Sequence, residues 1–403
     1  MTVSMDEPQF DILIAGGGMV GATLAVALAD TGYRVGVIEA RPFGEPGQPS
    51  YDDRSIALAW GSRLLLERFG LWEALSPSAT PIHRIHVSDR GRFGAARLSA
   101  DEEGVPALGY VVENRAVGAV LYRRLQALAD VQVIAPAEIE AVDADPHRVL
   151  VQARTESGSR QIEARLLIAA DGAQSTIRER LGFPLQKADY GQTALIANVT
   201  PEKDHAGIAF ERFTDEGPLA LLPMSEGRCS LVWTHRSEAV ADTMQLDDAA
   251  FLERLQARFG WRLGRFLKVG QRAAYPLALL KSGRYVQGRV VLAGNAAHTL
   301  HPVAGQGFNL GLRDIAVLAG LLQAHPDEDP GDAALLAEYE RSRQDDLKTV
   351  VRFTDTLARL FANPWPPLAH ARAAGLVAVD LIPTLRHMLA RQNMGLRARL
   401  PRL

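Results

Sequence analysis

Residues 10–21 read FDILIAGGGMVG, an apolar run that ends in three glycines and continues over 19–30 as MVGATLAVALAD. The run has the length of a buried strand, and the segment behind it is apolar enough all round to be a buried helix. Gly16, Gly18 and Gly21 satisfy the spacing GxGxxG. In a strand-to-helix turn these positions exclude a side chain because the turn is tight, main chain approaches a pyrophosphate, and helix touches strand. Phosphate would rest on the N-terminal N–H groups of the helix. RVGVIE at 34–39 supplies the next strand, and Glu39 at its end is placed to accept hydrogen bonds from adenosine ribose hydroxyls. This is the opening of a dinucleotide-binding α/β domain; alone, it does not separate NAD from FAD.

The whole chain has 403 residues, with 44 Lys+Arg against 47 Asp+Glu, a formal net charge of -3. Nothing in that balance advertises a nucleic-acid partner. Cys229 is the single cysteine. It excludes an intramolecular disulfide, a CxxC redox pair and a thiolate metal cluster, and it fits a reducing cytosol, so redox chemistry must come from a bound cofactor. The start MTVSMDEPQ lacks the basic opening and apolar run of a signal peptide. No apolar run reaches the roughly 18 residues of a spanning helix. A cytoplasmic chain is expected, at most peripheral on the inner face of the cytoplasmic membrane.

Outward from the glycine turn, periodicity predicts a helix over 57–75, an amphipathic helix within 110–129 after the strand-like GYVV, and helices at 248–259, 306–323 and 332–361. VLVQAR and QIEARLLIAA read as strands, the second ending at Asp171-Gly172, and RVVLAG at 289–294 as a buried strand. TALIANV, IAFERF, PLALLP and CSLVW, between 190 and 235, read as an antiparallel sheet inserted into the α/β frame.

Two later stretches decide the cofactor. ADGAQSTIR at 170–178 follows a strand, and GNAAHTLHPVAGQGFNLG at 294–311 follows another and enters a helix. With Asp53-Arg54-Ser55-Ile56-Ala57-Leu58 and GYVVEN at 109–114, the chain resembles the FAD-dependent aromatic monooxygenases of the para-hydroxybenzoate hydroxylase type. It is most similar to the hydroxylases of ubiquinone biosynthesis, especially the 2-polyprenyl-6-methoxyphenol hydroxylase branch. The resemblance runs from Phe10 to about Arg391.

The resemblance implies an α/β fold: a GxGxxG FAD-binding domain of Rossmann-like type, an inserted, mainly antiparallel β-sheet substrate domain and a helical C-terminal tail. The FAD domain is expected over 8–75, 109–182 and 281–361, the substrate domain over 76–108 and 183–280, and the tail over 362–403. It implies FAD as the resident cofactor, and NAD(P)H as a dissociable reductant, since no second GxGxxG follows a strand. It implies hydroxyl transfer from O2 to an electron-rich phenol through a flavin C4a-hydroperoxide.

FAD contacts are expected, by resemblance, from Gly16, Gly18, Val20, Gly21, Glu39 and Arg41 at the first motif, and from Arg54, Asn114 and Arg115 after the long loop. Asp171 belongs to the second motif. Asn295, Gly305, Gln306, Gly307, Phe308 and Asn309 belong to the third. His301 and Pro302 are expected above the flavin, as positioning groups. Apolar residues of the middle sheet, namely Phe210, Phe213, Leu221, Pro223 and Trp233, are candidate walls of a dry substrate pocket or plain core. His298 and His301 lie three apart, but no acid lies near them in the sequence and no metal site is expected.

The favoured substrate is a polyprenylated phenol of ubiquinone biosynthesis. A small soluble aromatic acid, which would need a pocket cation such as Arg212 or Arg228, is the first alternative. A flavin-loaded structural subunit of a biosynthetic complex is another, and a complex with other quinone-pathway enzymes is among the partnerships considered. After Asp380 there is no acid, while Arg386, Arg391, Arg397, Arg399 and Arg402 accompany Leu381, Leu385, Met388 and Leu389 at helical spacing. Such an end either rests on an anionic bilayer or packs on its own domain.

Overall fold

The run Phe10–Ala15 lies in the middle of a mixed sheet, parallel except at its Val286–Gln287 edge along the path Val286–Gln287, Val290–Leu292, Gly158–Ala169, Phe10–Ala15, Val35–Ile38, Val131–Ile134. The structure, a computed structural model, describes residues 9–42, 54–299, 306–362 and 365–396. Ile12, Leu13, Ile14, Leu166, Leu167 and Ile168 are completely buried, as strands covered on both faces require. The helix Met19–Ala27 packs against Asn114–Gln126 and Gln306–Ala324 on one side of this sheet. Its burial all round explains its lack of a polar face.

The inserted sheet runs His298–Thr299, Ala273–Ser282, Leu185–Pro201, Cys229–Arg236, Pro218–Pro223, Ile208–Phe213, Arg84–Asp89, Ala95–Ser99. All its pairings are antiparallel except that of Ile208–Phe213 with Arg84–Asp89. One face is covered by the helix Asp248–Phe259, whose Phe251, Leu255 and Phe259 meet Leu195, Phe210, Leu221 and Trp233 in a core of their own. A third sheet, Ser55–Ala59, Gly109–Glu113 and Ala79–Ile82, lies between the two halves.

Two expectations change. Residues 57–59, expected as the start of a helix, finish the strand Ser55–Ala59, and the helical stretch is Trp60–Arg68 followed by Trp72–Leu75. Backbone pairing with Gly109–Glu113 overrides a pattern apolar enough for either state. The strand Ala79–Ile82, expected in the inserted domain, pairs instead with Gly109–Glu113. The C-terminal segment is two helices, Pro366–Leu381 and Pro383–Asn393, broken where Pro383 removes a backbone donor. Both pack on Ala95–Ser99. Leu389, Ala390 and Met394 face the protein, while Leu381 and Met388 are exposed.

Candidate active site

At the first motif each glycine has a reason. Gly16 has φ +98°, and a Cβ there would stand 2.6 Å from the carbonyl oxygen of Ala170; a Cβ on Gly21 would stand 1.9 Å from the Gly16 oxygen. Gly18 caps the helix Met19–Ala27 with no side-chain bond to its N–H groups, which leaves them for an anion. Glu39 is buried, accepts from Gly17 N–H at 2.7 Å and Arg41 N–H at 3.0 Å, and so stands beside the turn. Val20 fills the space over two later glycines: a Cβ on Gly294 would lie 2.8 Å, and one on Gly311 3.0 Å, from its Cγ2. The first and third motifs therefore lock together through one side chain.

Asp171 follows the strand Gly158–Ala169. Its Oδ2 accepts from Ile177 N–H at 3.3 Å and Thr176 Oγ1 at 3.4 Å, and its buried Oδ1 has no partner. Arg178 donates to the carbonyls of Ala296 and Ala173, tying the second motif to the third. Asn295 is exposed at the turn Gly294–Ala296. Gln306 opens the helix Gln306–Ala324, and Gly307 faces open space among the described residues, where a Cβ would meet nothing within 4 Å. Phe308 packs partly on the main core. Asn309 is buried, accepts from Ala59 N–H and donates to the Ala57 carbonyl, both at 2.8 Å, so its side chain clamps the helix to the strand Ser55–Ala59. His301, Pro302 and Gly305 lie outside the described residues.

Sequence reasoning missed the group that organises this motif. Asp314 is completely buried and accepts from Gly294 N–H at 2.8 Å, from His298 Nε2 at 2.8 Å and from Arg343 Nε at 2.7 Å. An acid does therefore lie beside His298, contrary to expectation, brought there by the helix Gln306–Ala324. Among the described residues no cluster of three His, Cys, Asp or Glu can hold a metal ion. Burial alone would raise the Asp314 carboxyl, but His298, Arg343 and the Gly294 N–H outweigh it and hold it below the usual range. The signal was present: Asp314 stands between Leu310 and Leu318 on the apolar stripe of its helix, where a lone charge demands a buried partner.

A cavity of about 650 Å³ opens between the large sheet and the FAD half. Arg54, Arg115, Arg228 and Lys268 line it together with Glu113, Asn198 and Tyr275. The Arg54 guanidinium lies 4.8 Å from the centre of the Tyr275 ring, and Glu113 pairs with Arg115 at 2.6 Å and with Arg228 at 3.1 Å. Asn114 is buried behind them, its N–H on the Arg54 carbonyl at 2.8 Å.

The register corrects the pocket walls. Phe210, Leu221 and Trp233 turn into the core beneath Asp248–Phe259, Pro223 is buried with the same parity as Leu221, and Phe213 packs with Ala96 and Leu376. Apolar alternation marked the packed face, and a strand's period of two puts the other face toward the cavity. That face carries Ile196 and Asn198, which line the cavity, and in the same row Val232, Ala220 and Glu211. Arg212 turns to the packed side near Gly260. Cys229 is completely buried, its thiol pushed up to about 12 by burial, and is no nucleophile.

A side-chain-free turn, an uncapped helix start, the orphaned Asp171 oxygen and the bare Gly307 together suit a flavin dinucleotide. Comparison with known proteins agrees. The FAD binding domain family profile matches residues 9–354. A ubiquinone hydroxylase of Rhodospirillum rubrum is 42% identical over 96% of this chain and 89% of its own. The 3-demethoxyubiquinol 3-hydroxylase of Escherichia coli is 32% identical over 97% of this chain and 100% of its own. The fold is shared with a p-nitrophenol 4-monooxygenase from Pseudomonas putida, with a TM-score of 0.80, 21% identity, and 98% and 99% of the two chains covered. Motifs, cradle and relatives converge: the chain belongs to the FAD binding domain family and, within it, to the ubiquinone-biosynthesis hydroxylases, as an FAD-dependent monooxygenase.

Proposed function

We propose that the substrate is a polyprenylated phenol, hydroxylated on its ring. The observation that carries this is the row Ala220, Val232, Ile196 on the face turned toward the FAD half: half-buried, apolar and without a cation. A soluble aromatic acid would need a positive group there. Arg212 points away from that face, and the cations of the cavity, Arg228 among them, lie at the Ile196 end of the row, where neither Ala220 nor Val232 lines the wall.

FAD, once reduced by NAD(P)H, supplies the activation of O2 and the transfer of one oxygen atom to the ring. The chain's own residues hold and shield. The uncapped helix start at Gly18 would hold the pyrophosphate, Glu39 the adenosine ribose and Asp171, through an oxygen without a partner among the described residues, a further hydroxyl. The N-terminus of Gln306–Ala324 would offer partial positive charge to a ring system that gains negative charge on reduction. We assign the phosphates of the reductant to the cavity lined by Arg54, Arg115, Arg228 and Lys268, since four cations against Glu113 favour an anion.

For a prenylated substrate we read the corner of the two C-terminal helices as the membrane contact of a cytoplasmic protein. Leu381 is 72% and Met388 57% exposed there, with Arg386 and Arg391 nearby in sequence. Among the described residues no single helix is long and apolar enough to cross a bilayer, although Pro367–Leu381 and Pro383–Asn393, bent by 97°, pass that test as a pair. The test of function is the anaerobic rate of flavin reduction by NADPH with and without a short-chain 2-prenyl-6-methoxyphenol. Acceleration by the phenol is expected; equal rates in FAD-replete protein would refute this substrate class.

A further inference from the structure

Two acids stand on the face of the large sheet that carries Ile196: Asp89, which is paired with Arg372, and Glu211. Glu211 lies in the strand Ile208–Phe213 between Phe210 and Arg212, whose side chains go to the packed side. Its cross-strand partner is Ala220, Ala220 pairs with Val232, Val232 with Ile196, and Ile196 with Ala273. With strands about 4.8 Å apart, the row from Glu211 to Ile196 spans about 14 Å. Ile196 and Ala273 line the cavity. The row is thus an apolar floor with the cavity at one end and a carboxylate at the other.

Among the described residues no hydrogen-bond or ion-pair partner meets this half-buried carboxylate, and burial lifts it from the usual range to about 7. Charged groups on neighbouring elements are engaged elsewhere: Asp89 with Arg372 at 3.3 Å, Asp380 with Arg97 at 3.0 Å, and Glu113 with Arg115 and Arg228. An acid desolvated without compensation costs stability, and a group kept at that cost in a reaction space is placed for chemistry.

We propose that Glu211 is a catalytic residue of the hydroxylation, the base that takes the proton from the phenol oxygen of a ring lying on Ala220 and Val232. The phenol O–H bond breaks, the proton goes to a carboxylate oxygen, and the bonding pair stays on the phenol oxygen, where it enriches the ring carbons. The added oxygen atom comes from O2 through the FAD- and NAD(P)H-dependent activity, and the two electrons of NAD(P)H carry the other oxygen atom to water. The hydrogen on the attacked carbon then leaves as a proton, its C–H pair restores the aromatic ring, and Glu211 returns its proton to the phenolate oxygen. A base near neutrality matches this duty.

The inference rests on the phenol reading, and the experiment separates the two. Anaerobic binding of the short-chain prenyl-methoxyphenol is followed by difference spectroscopy for the phenolate band, with product per NAD(P)H consumed measured from pH 6 to 10, in wild type, Glu211→Gln and Glu211→Asp. FAD content and melting temperature of each protein establish that it is folded. The wild type is expected to show phenolate on binding at neutral pH. Glu211→Gln is expected to show none, with product per NAD(P)H about 100-fold lower at pH 7 and rising with pH as the phenol ionises unaided; Glu211→Asp recovers part. A wild type that binds or responds to no phenol overturns both readings. A responsive wild type with a Glu211→Gln protein of equal phenolate band and coupling overturns the role of Glu211 alone.

Discussion

Exchanging one oxygen of Asp314 for an amide nitrogen, in Asp314→Asn, should weaken the whole third flavin motif. The carboxylate is completely buried and serves Gly294 N–H, His298 and Arg343 at 2.7–2.8 Å. The amide removes the charge that balances Arg343 and turns a donor toward donors. Removing one member of a buried ion pair costs about 3–5 kcal/mol. Asp346, which still meets Arg343 at 2.8 Å and Arg313 at 3.0 Å, puts the expected loss at the lower end. At about 2.1 cal/mol/K per residue, the unfolding entropy of a chain this long is about 0.8 kcal/mol/K, so the melting temperature should fall by about 4–5 °C. The assay is a thermal scan of apo- and FAD-loaded protein, read by circular dichroism and by release of flavin fluorescence. The folded carboxyl is held below its ordinary value, so its stabilisation is complete above the unfolded value of about 3.9 and is lost as pH falls through the lower folded one. The gap between variant and wild type should therefore be full at pH 7 and close only in strong acid. A variant that melts within about 1 °C of wild type and keeps its FAD would refute the reasoning.

Gly307→Ala places a methyl in open space on a helix, so apoprotein stability should hold or rise by up to about 1 kcal/mol, while calorimetry finds FAD affinity reduced about tenfold. Lys268→Ala should raise KM for NAD(P)H about fivefold with kcat unchanged, and an unchanged KM would remove the reductant's phosphates from the cavity. Leu381→Glu with Met388→Glu, both at exposed positions, should leave stability within about 0.5 kcal/mol for each site but abolish flotation with anionic phospholipid vesicles. Cys229 should stay unreactive toward thiol reagents in native protein and titrate fully on unfolding.

What was legible in the sequence was what backbone geometry alone demands. The glycine turn, the four strands between 190 and 235 and the long helices announce themselves because tight turns and periodic burial leave no other composition. The strands Ala79–Ile82, Arg84–Asp89 and Ala95–Ser99 did not, since they are short, and the first two also pair with strands distant in the chain. At the site, the direction of a side chain depends on register, so Phe210, Leu221 and Trp233 looked like pocket when they are core. Glu211 carried a readable clue: it alternates with Ala209 and Phe213, both buried, on one face of its strand, where a half-buried acid stands out.

The division of the large sheet into a packed face and a reacting face has a bearing on how such an enzyme changes its substrate. Neighbouring residues on one strand answer to different demands: Leu221 to the fit of the helix behind it, Ala220 to whatever lies in front. A mutation at Ala220 or Val232 alters the shape offered to a ligand and leaves the interlocked layer behind it untouched. Selection can therefore redraw the outline of the ring and side chain that are accepted by exchanging alternate letters, while the intervening letters preserve the fold. A different ring needs no new scaffold, only a new set of every second residue.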